Sequence, residues 1–97
     1  MSAIGVIATL TVADGKNAEF EAVFAELSAA VNANEPGNEL YSLTRSKANP
    51  QVYKVLERYA DQAALDAHGK TDYFRAAGPK LAPCLAAAPD IEVLDAF

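Results

Sequence analysis

Residues 51–74 restrict the fold more than any other stretch, because a strand pattern is followed at once by two helix starts. Residues 51–59, Gln-Val-Tyr-Lys-Val-Leu-Glu-Arg-Tyr, are rich in β-branched and aromatic residues, which fit a pleated, half-buried strand. Asp61 is a favourable N-cap for a helix, Gly69 favours the end of that helix, and Thr71 can begin another. The stretch therefore predicts a strand, a short helix and the start of a further helix.

The alternation within this strand brings several reactive side chains to one face. Successive side chains of a strand point to opposite faces, so Tyr53, Val55, Glu57 and Tyr59 share a face. His68, the only histidine of the chain, lies in the short helix that follows. We therefore expect a carboxylate, an imidazole and tyrosines to meet near one strand–helix corner.

The rest of the chain completes a recognisable order of elements. The predicted elements are strand 1 at 3–12, helix 1 at 16–33, strand 2 at 39–46, strand 3 at 51–59, helix 2 at 61–68, helix 3 from 72 to about 87, and strand 4 at 90–97. This β-α-β-β-α-β order predicts a ferredoxin-like α+β fold with helices on one face of a four-stranded antiparallel sheet. Because proline disrupts a helix interior, we expect helix 3 to break or kink near Gly78-Pro79.

The small size of the chain favours self-association. Its 97 residues correspond to a single domain, 1–97, which buries a modest share of its surface alone. Strand 1 is apolar on both faces, so the sheet face opposite the helices also needs cover. We therefore expect a homodimer in which two sheets pack face to face.

Charge and composition exclude several classes of function. The net charge is −5 and the eight basic residues are scattered, which argues against nucleic-acid binding. One cysteine and one histidine cannot form a Cys/His zinc cluster within one chain. No apolar run approaches the ~20 residues that cross a bilayer, and the amino terminus lacks a signal-peptide pattern. We expect a cytoplasmic protein.

Three stretches together resemble one family. They are Asn34-Glu-Pro-Gly37 leading into Leu40-Tyr41, Val52-Tyr53 through Glu57-Arg58-Tyr59, and Ala64-Leu-Asp-Ala-His68 followed by Tyr73-Phe74. In order and spacing they resemble the antibiotic biosynthesis monooxygenase domain family, in particular its small quinol-monooxygenase-like members. The resemblance implies a dimeric α+β barrel. It also implies, as in many members, oxygenation of electron-rich aromatic molecules by O2 without flavin, haem or metal, so no cofactor and no metal site are expected.

The sequence departs from two branches of the same superfamily. Haem-degrading members use an Asn in strand 1 and a His in the helix after helix 2, where this chain has no Asn and Gly78, respectively. Antibiotic-tailoring members use a tryptophan near the substrate, and this chain has none. Haem degradation is therefore not expected, and the tailoring site does not carry over residue by residue.

The candidate site follows from the chemistry of a phenol. His68 is the candidate catalytic base because imidazole accepts a proton near neutral pH, and Glu57 is the candidate to orient it. The substrate-binding candidates are Tyr41, Tyr59 and Tyr73, which could hydrogen-bond substrate oxygens, and Phe74, which could stack on a ring. The slot is expected inside one subunit, between the sheet and helices 2 and 3.

Each candidate also has a purely structural interpretation. His68 could be a packed polar residue near a helix end, and Glu57 could pair with Arg58 or another cation. Tyr59 and Phe74 could belong to the core. The stretch 34–37 is interpreted as a helix stop rather than a ligand loop.

Three functions remain open from the sequence. The first is a cofactor-independent monooxygenase acting on a quinol or phenolic aromatic molecule, with His68 as the base. The second is an isomerase that uses His68 and Glu57 as acid and base on a small carbonyl compound. The third is a non-catalytic dimeric binding or stress protein, since one scaffold hosts several functions.

Overall fold

The computed structural model describes residues 2–97 and contains one four-stranded sheet. Its elements are β1 (Ala3–Thr11), α1 (Asn17–Asn34), β2 (Asn38–Arg45), β3 (Val52–Tyr59), α2 (Gln62–Gly69), α3 (Asp72–Leu81), a 3-10 helix (Ala82–Cys84) and β4 (Asp90–Ala96). The strands lie in the order β2-β3-β1-β4, and all neighbours are antiparallel. The predicted ferredoxin-like α+β fold is confirmed, and apart from α3 each predicted boundary is within one residue of the observed one.

The central strands β1 and β3 bury their helix-side residues. Ala8 pairs with Val55, Leu10 pairs with Tyr53, and all four side chains are buried. Tyr59, at the end of β3, is also buried. Of these residues, Tyr53, Val55 and Tyr59 lie on the face predicted from the alternation of residues 51–59.

Helix α1 covers this face through one apolar stripe. Phe20, Phe24, Leu27 and Val31 are buried, at the spacing of successive helical turns. The Phe20 ring lies 4.7 Å from the Tyr53 ring, measured between centroids. The stripe therefore joins the helix layer to β3 and forms much of the hydrophobic core.

The predicted break in the third helix is wrong in position. Helix α3 continues through Pro79 to Leu81, and the 3-10 helix follows, with Pro83 near its start. Pro79 removes a single helical hydrogen bond close to the end of α3, where few further bonds depend on it. Pro83 occupies a first-turn position that does not require an N–H group. The helical part thus ends at Cys84 rather than near residue 87.

The helices were expected to cover one whole face of the sheet, but they leave part of that face exposed. Ile91 and Val93 in β4 pair with Ala8 and Val6 and therefore share the helix-side face. Both are 55% exposed, because β4 is an edge strand beyond the reach of the helices. No helix within residues 2–97 has the length and apolar character needed to cross a membrane.

Candidate active site

A largely apolar cavity lies between the sheet and the helices, where the sequence predicts a slot. Its volume is about 440 Å³, within the range of about 300–1,000 Å³ typical of small-molecule sites. Three polar side chains line it, those of Tyr41, Glu57 and His68. Phe74 and Ile91 line it as well and are partly exposed to solvent, so they lie at its edge.

Helix α2 delivers His68 to this cavity. The Asp61 side chain caps the helix by accepting a hydrogen bond from the Ala64 amide at 2.9 Å, as predicted. The Thr71 hydroxyl donates to the His68 carbonyl oxygen at 2.9 Å and caps α3 by accepting from the Phe74 amide at 3.3 Å. These two caps fix the corner between α2 and α3 that carries both His68 and Phe74.

The His68 imidazole is buried among aromatic rings. Its centroid lies 5.3 Å from that of Tyr41, 5.5 Å from that of Tyr59 and 4.7 Å from that of Phe74. Only 5% of the side chain is exposed. A polar ring in such surroundings needs a specific hydrogen-bond partner.

That partner is Glu35 rather than the expected Glu57. His68 Nδ1 lies 3.1 Å from each carboxylate oxygen of Glu35, and the Glu35 side chain is only 9% exposed. Glu35 directly follows α1, in extended backbone imposed by the next residue, Pro36. The sequence interpretation of residues 34–37 as a helix stop is correct locally but missed the carboxylate that this stop positions.

The Glu35 contact determines which imidazole nitrogen carries the proton. A carboxylate only accepts hydrogen bonds, so a hydrogen bond to ionised Glu35 requires the proton on Nδ1, and in the neutral ring this leaves Nε2 without one. Within residues 2–97, no side-chain hydrogen bond involves Nε2 and no buried side-chain nitrogen or oxygen lacks a partner. Nε2 is therefore free of side-chain partners within the described residues, in a ring that lines the cavity.

Glu57 and Tyr41 form the other polar part of the lining. They pair across β2 and β3 and point to the same side of the sheet. Burial raises the pKa of the Glu57 carboxyl, against the opposing effects of the Tyr59 hydrogen bond and of His68. Burial, aided by the charges of Glu57 and Glu35, raises the pKa of Tyr41, which therefore stays a neutral hydroxyl at neutral pH.

Two predicted substrate contacts lie elsewhere. Tyr59 is fully buried and does not line the cavity, and its hydroxyl donates to Glu57 Oε1 at 2.7 Å. The Tyr73 hydroxyl donates to Glu35 and faces a second, more open cleft. Burial and the neighbouring Glu35 raise the pKa of Tyr73 to about 12. The structure thus brings Tyr41, Glu57, His68 and Phe74 together in the cavity and places Tyr59 and Tyr73 behind it.

The model of the antibiotic biosynthesis monooxygenase family matches residues 3–80, which include Tyr41, Glu57, His68 and Phe74 of the cavity lining but not Ile91. The chain belongs to the antibiotic biosynthesis monooxygenase family. The match covers β1 through most of α3 and leaves β4 outside.

Solved structures agree with this assignment. A Caulobacter crescentus CB15 protein, provisionally named an antibiotic biosynthesis monooxygenase, is 58% identical, with a TM-score of 0.97 over 99% of this chain and 91% of that chain. A conserved Methanosarcina mazei Go1 protein is 30% identical, with a TM-score of 0.91 over 97% and 92%. Rv0793 of Mycobacterium tuberculosis shares the fold at 21% identity, with a TM-score of 0.90 over 99% and 96%. No curated protein matches the chain.

Among residues 2–97 of this antibiotic biosynthesis monooxygenase family member, no lysine or arginine lines the cavity. Glu57 contributes a carboxyl group from the lining itself, and Glu35 contributes a second acid behind His68. An anionic group taken into these apolar surroundings would have no permanently charged cation beside it, only His68 when protonated, and burying an unpaired charge is costly. The lining therefore favours uncharged molecules.

Proposed function

We propose that this protein is a cofactor-independent monooxygenase that oxidises a quinol or phenolic aromatic molecule with O2. Family membership supports a monooxygenase-like function in general. The observation that carries the finer proposal is His68, which lines an apolar cavity and whose Nδ1 is held by Glu35. This arrangement suits a general base acting on a neutral hydroxyl group.

The first step is removal of a phenolic proton. The substrate O–H bond breaks, an N–H bond forms at His68 Nε2, and the electron pair stays on the phenolate oxygen. A hydroquinone and O2 then give a hydroxyquinone and water. One oxygen atom enters the ring, and the four electrons that O2 accepts all come from the substrate, so the balance requires no external reductant.

The other lining residues bind and shield the substrate. Tyr41 keeps its proton and donates a hydrogen bond to a substrate oxygen, while Phe74 contacts the ring at the cavity edge. Glu57 hydrogen-bonds a second hydroxyl group of the substrate. Tyr59 and Tyr73 act indirectly, through the carboxylates that they contact. The apolar walls keep bulk water from the reduced oxygen species.

The charge of the cavity favours this function over the isomerase alternative. An isomerase that acted on a phosphorylated compound would need lysine or arginine at the phosphate, and within residues 2–97 neither lines the cavity. A non-catalytic binding protein, the other alternative, would differ from the proposed monooxygenase in that it requires no reactivity at His68.

We also propose that the protein is a homodimer formed through the outer face of the sheet. Ile7 and Leu56 pair at the centre of this face and are half-buried, while Leu40 and Leu94 are 45% and 38% exposed. The helices lie on the opposite face, so a second sheet is the economical cover for this apolar surface.

Oxygen consumption tests the proposed activity. Purified protein is supplied with substituted hydroquinones in the presence of a chelator, and spontaneous oxidation is subtracted. We expect substrate-dependent uptake, one ¹⁸O atom from ¹⁸O2 in the product, and at least a ~100-fold loss in His68→Ala, the usual size of general-base catalysis. Asp66→Ala is the control, because Asp66 is exposed on the same helix and lines neither cavity nor cleft.

Two results would contradict the proposal. Equal uptake by the wild type and His68→Ala would remove His68 from the reaction. Absence of uptake and of ¹⁸O incorporation across a panel of neutral hydroquinones and phenols would contradict oxygenation of this substrate class.

A further inference from the structure

We infer that Glu35 and Tyr73 are positioning residues that hold His68 in the Nδ1–H form and so keep Nε2 ready to accept a proton at the cavity. The functional part of this inference rests on the proposed oxygenation. The structural part, which nitrogen of His68 carries the proton, can be measured without any substrate.

The three side chains form a chain of hydrogen bonds across three elements. Glu35 follows α1, His68 lies in the last turn of α2, and Tyr73 lies in the first turn of α3. They are separated by 33 residues (Glu35 to His68) and 38 residues (Glu35 to Tyr73). A contact between such distant positions is a tertiary feature of the fold, not a by-product of local helix geometry.

Glu35 sets the protonation pattern of the imidazole. Both carboxylate oxygens lie 3.1 Å from Nδ1, so either can accept its proton. The nitrogen that a histidine protonates is determined by the hydrogen bond made by its other nitrogen. Without Glu35, Nδ1 would lose the only side-chain hydrogen-bond partner that the ring has within residues 2–97, and the preference for Nδ1–H would be lost.

Tyr73 fixes the carboxylate in turn. Its hydroxyl donates to Glu35 Oε2, and its raised pKa keeps this hydroxyl protonated over the working range of pH. Two donors, the hydroxyl and Nδ1–H, thus hold one carboxylate that is 9% exposed. A carboxylate satisfied on both sides has little freedom to rotate away from the ring.

The positioning residues are separate from the substrate pocket. His68 lines the cavity, Glu35 and Tyr73 line the outer cleft, and the two hollows share no lining residue. Changes at Glu35 or Tyr73 therefore leave the cavity wall intact. They are expected to lower kcat while changing KM for a neutral substrate little.

Nitrogen NMR tests this inference directly. His68 is the only histidine, so ¹⁵N-histidine labelling gives signals from this ring alone. In the wild-type neutral ring we expect a protonated Nδ1 and an unprotonated Nε2. Glu35→Ala should remove this preference and lower kcat by about 10–100-fold, which is no more than the lower limit of the ~10²–10⁴-fold contributed by a general base. Tyr73→Phe should change the ¹⁵N signals of His68 and kcat in the same direction as Glu35→Ala does, but by a smaller amount.

Asp72→Asn is the matched control, because it removes one carboxylate charge from the same cleft without touching the hydrogen-bond chain. It should leave the ring signals and kcat unchanged. A wild-type ring protonated at Nε2, or an unchanged preference in both Glu35→Ala and Tyr73→Phe, would overturn the inference. If Glu35→Ala does not fold, Tyr73→Phe decides, since it removes only a hydroxyl group. If the preference is confirmed but the wild type consumes no oxygen, the proposed function fails while the positioning of His68 stands.

Discussion

At the residue scale, two carboxyl groups flank the His68 ring and differ in their surroundings. Glu35 contacts the ring directly and is held by the Tyr73 hydroxyl. Glu57 lies in the cavity wall, receives the Tyr59 hydroxyl, and has its pKa raised by burial. Glu35 is therefore suited to accept a hydrogen bond from the imidazole N–H. Glu57, whose raised pKa favours the protonated carboxyl group, is suited to contact a substrate hydroxyl group.

The raised pKa of Glu57 makes stability depend on pH. The folded state holds the Glu57 proton more tightly than the unfolded chain, whose pKa is near the ordinary value of 4.5. The favourable contribution of Glu57 is complete below that value and is lost as the pH rises through the folded pKa. We therefore expect the free energy of unfolding of the wild type, relative to Glu57→Gln, to fall as the pH rises above 4.5 and then to level off.

Urea unfolding at a series of pH values measures this difference. Glutamine retains an oxygen that can accept the Tyr59 hydrogen bond, so the comparison isolates the ionisation of the carboxyl group. A difference that is constant over the series, or that grows in favour of the wild type with rising pH, would contradict a raised pKa.

How much of the site can be read from the sequence depends on how local each contact is. Strand alternation places Glu57 on the helix-side face, and the Asp61 cap places His68 in α2, so both residues could be predicted. The partnership of Glu35 with His68 could not, because it spans 33 residues and depends on how the end of α1 meets α2. The same limit applies to Tyr73, whose partner lies 38 residues away.

At the element scale, the position of α2 depends on close contact with the start of β2. A Cβ atom placed on Gly37 would lie 2.6 Å from the Cβ of Ala64 in α2. Carbon atoms do not approach so closely without displacement. Gly37 therefore allows α2 to lie against the segment that carries Glu35, and this brings His68 within reach of the carboxylate.

Gly37→Ala is expected to destabilise the fold by about 1–3 kcal/mol, the usual cost of overpacking. Displacement of α2 should also weaken the Glu35–His68 contact and change the ¹⁵N signals of His68. Denaturant unfolding measures the first effect. Gly78→Ala is the control, since its added Cβ meets no atom within 4 Å, and a helical position gains up to about 1 kcal/mol from this change.

The double variant Gly37→Ala/Ala64→Gly sharpens this test. Removing the Ala64 methyl group relieves the close contact, so the loss in the double variant should be smaller than the sum of the two single losses. Simple additivity would show that the Gly37–Ala64 contact does not limit the position of α2.

Elements defined by local signals were predicted well, and those defined by their neighbours were not. The caps at Asp61 and Thr71 are local, and both are confirmed. The extent of α3 past Pro79 was missed because the cost of a proline depends on its distance from the end of the helix, and α3 ends only two residues later, at Leu81. The exposure of Ile91 follows from the edge position of β4, which no pattern within the strand reveals.

At the scale of the whole molecule, the outer face of the sheet is the surface on which the proposed dimer depends. Leu56→Glu places a charge beside Ile7 at the centre of this face. If a second sheet covers the face, the buried, unpaired charge should convert the dimer to a monomer. Light scattering coupled to size-exclusion chromatography measures the mass of wild type and variant.

Ala25→Glu adds the same charge on the exposed side of α1 and should leave the mass unchanged. A wild type that is monomeric at all concentrations tested would refute the dimer. Dimers that persist in Leu56→Glu would place the interface elsewhere on the surface.

The separation of the cavity from the outer cleft has a consequence for how such a protein can diversify. Leu81, Leu85 and Ile91 line the cavity but not the cleft that Glu35 and Tyr73 line. Under the proposed function, exchange of these apolar side chains would change which substrates fit, while Glu35 and Tyr73 would continue to hold the His68 ring. Substrate recognition by the cavity lining and the positioning of His68 can therefore change independently of each other.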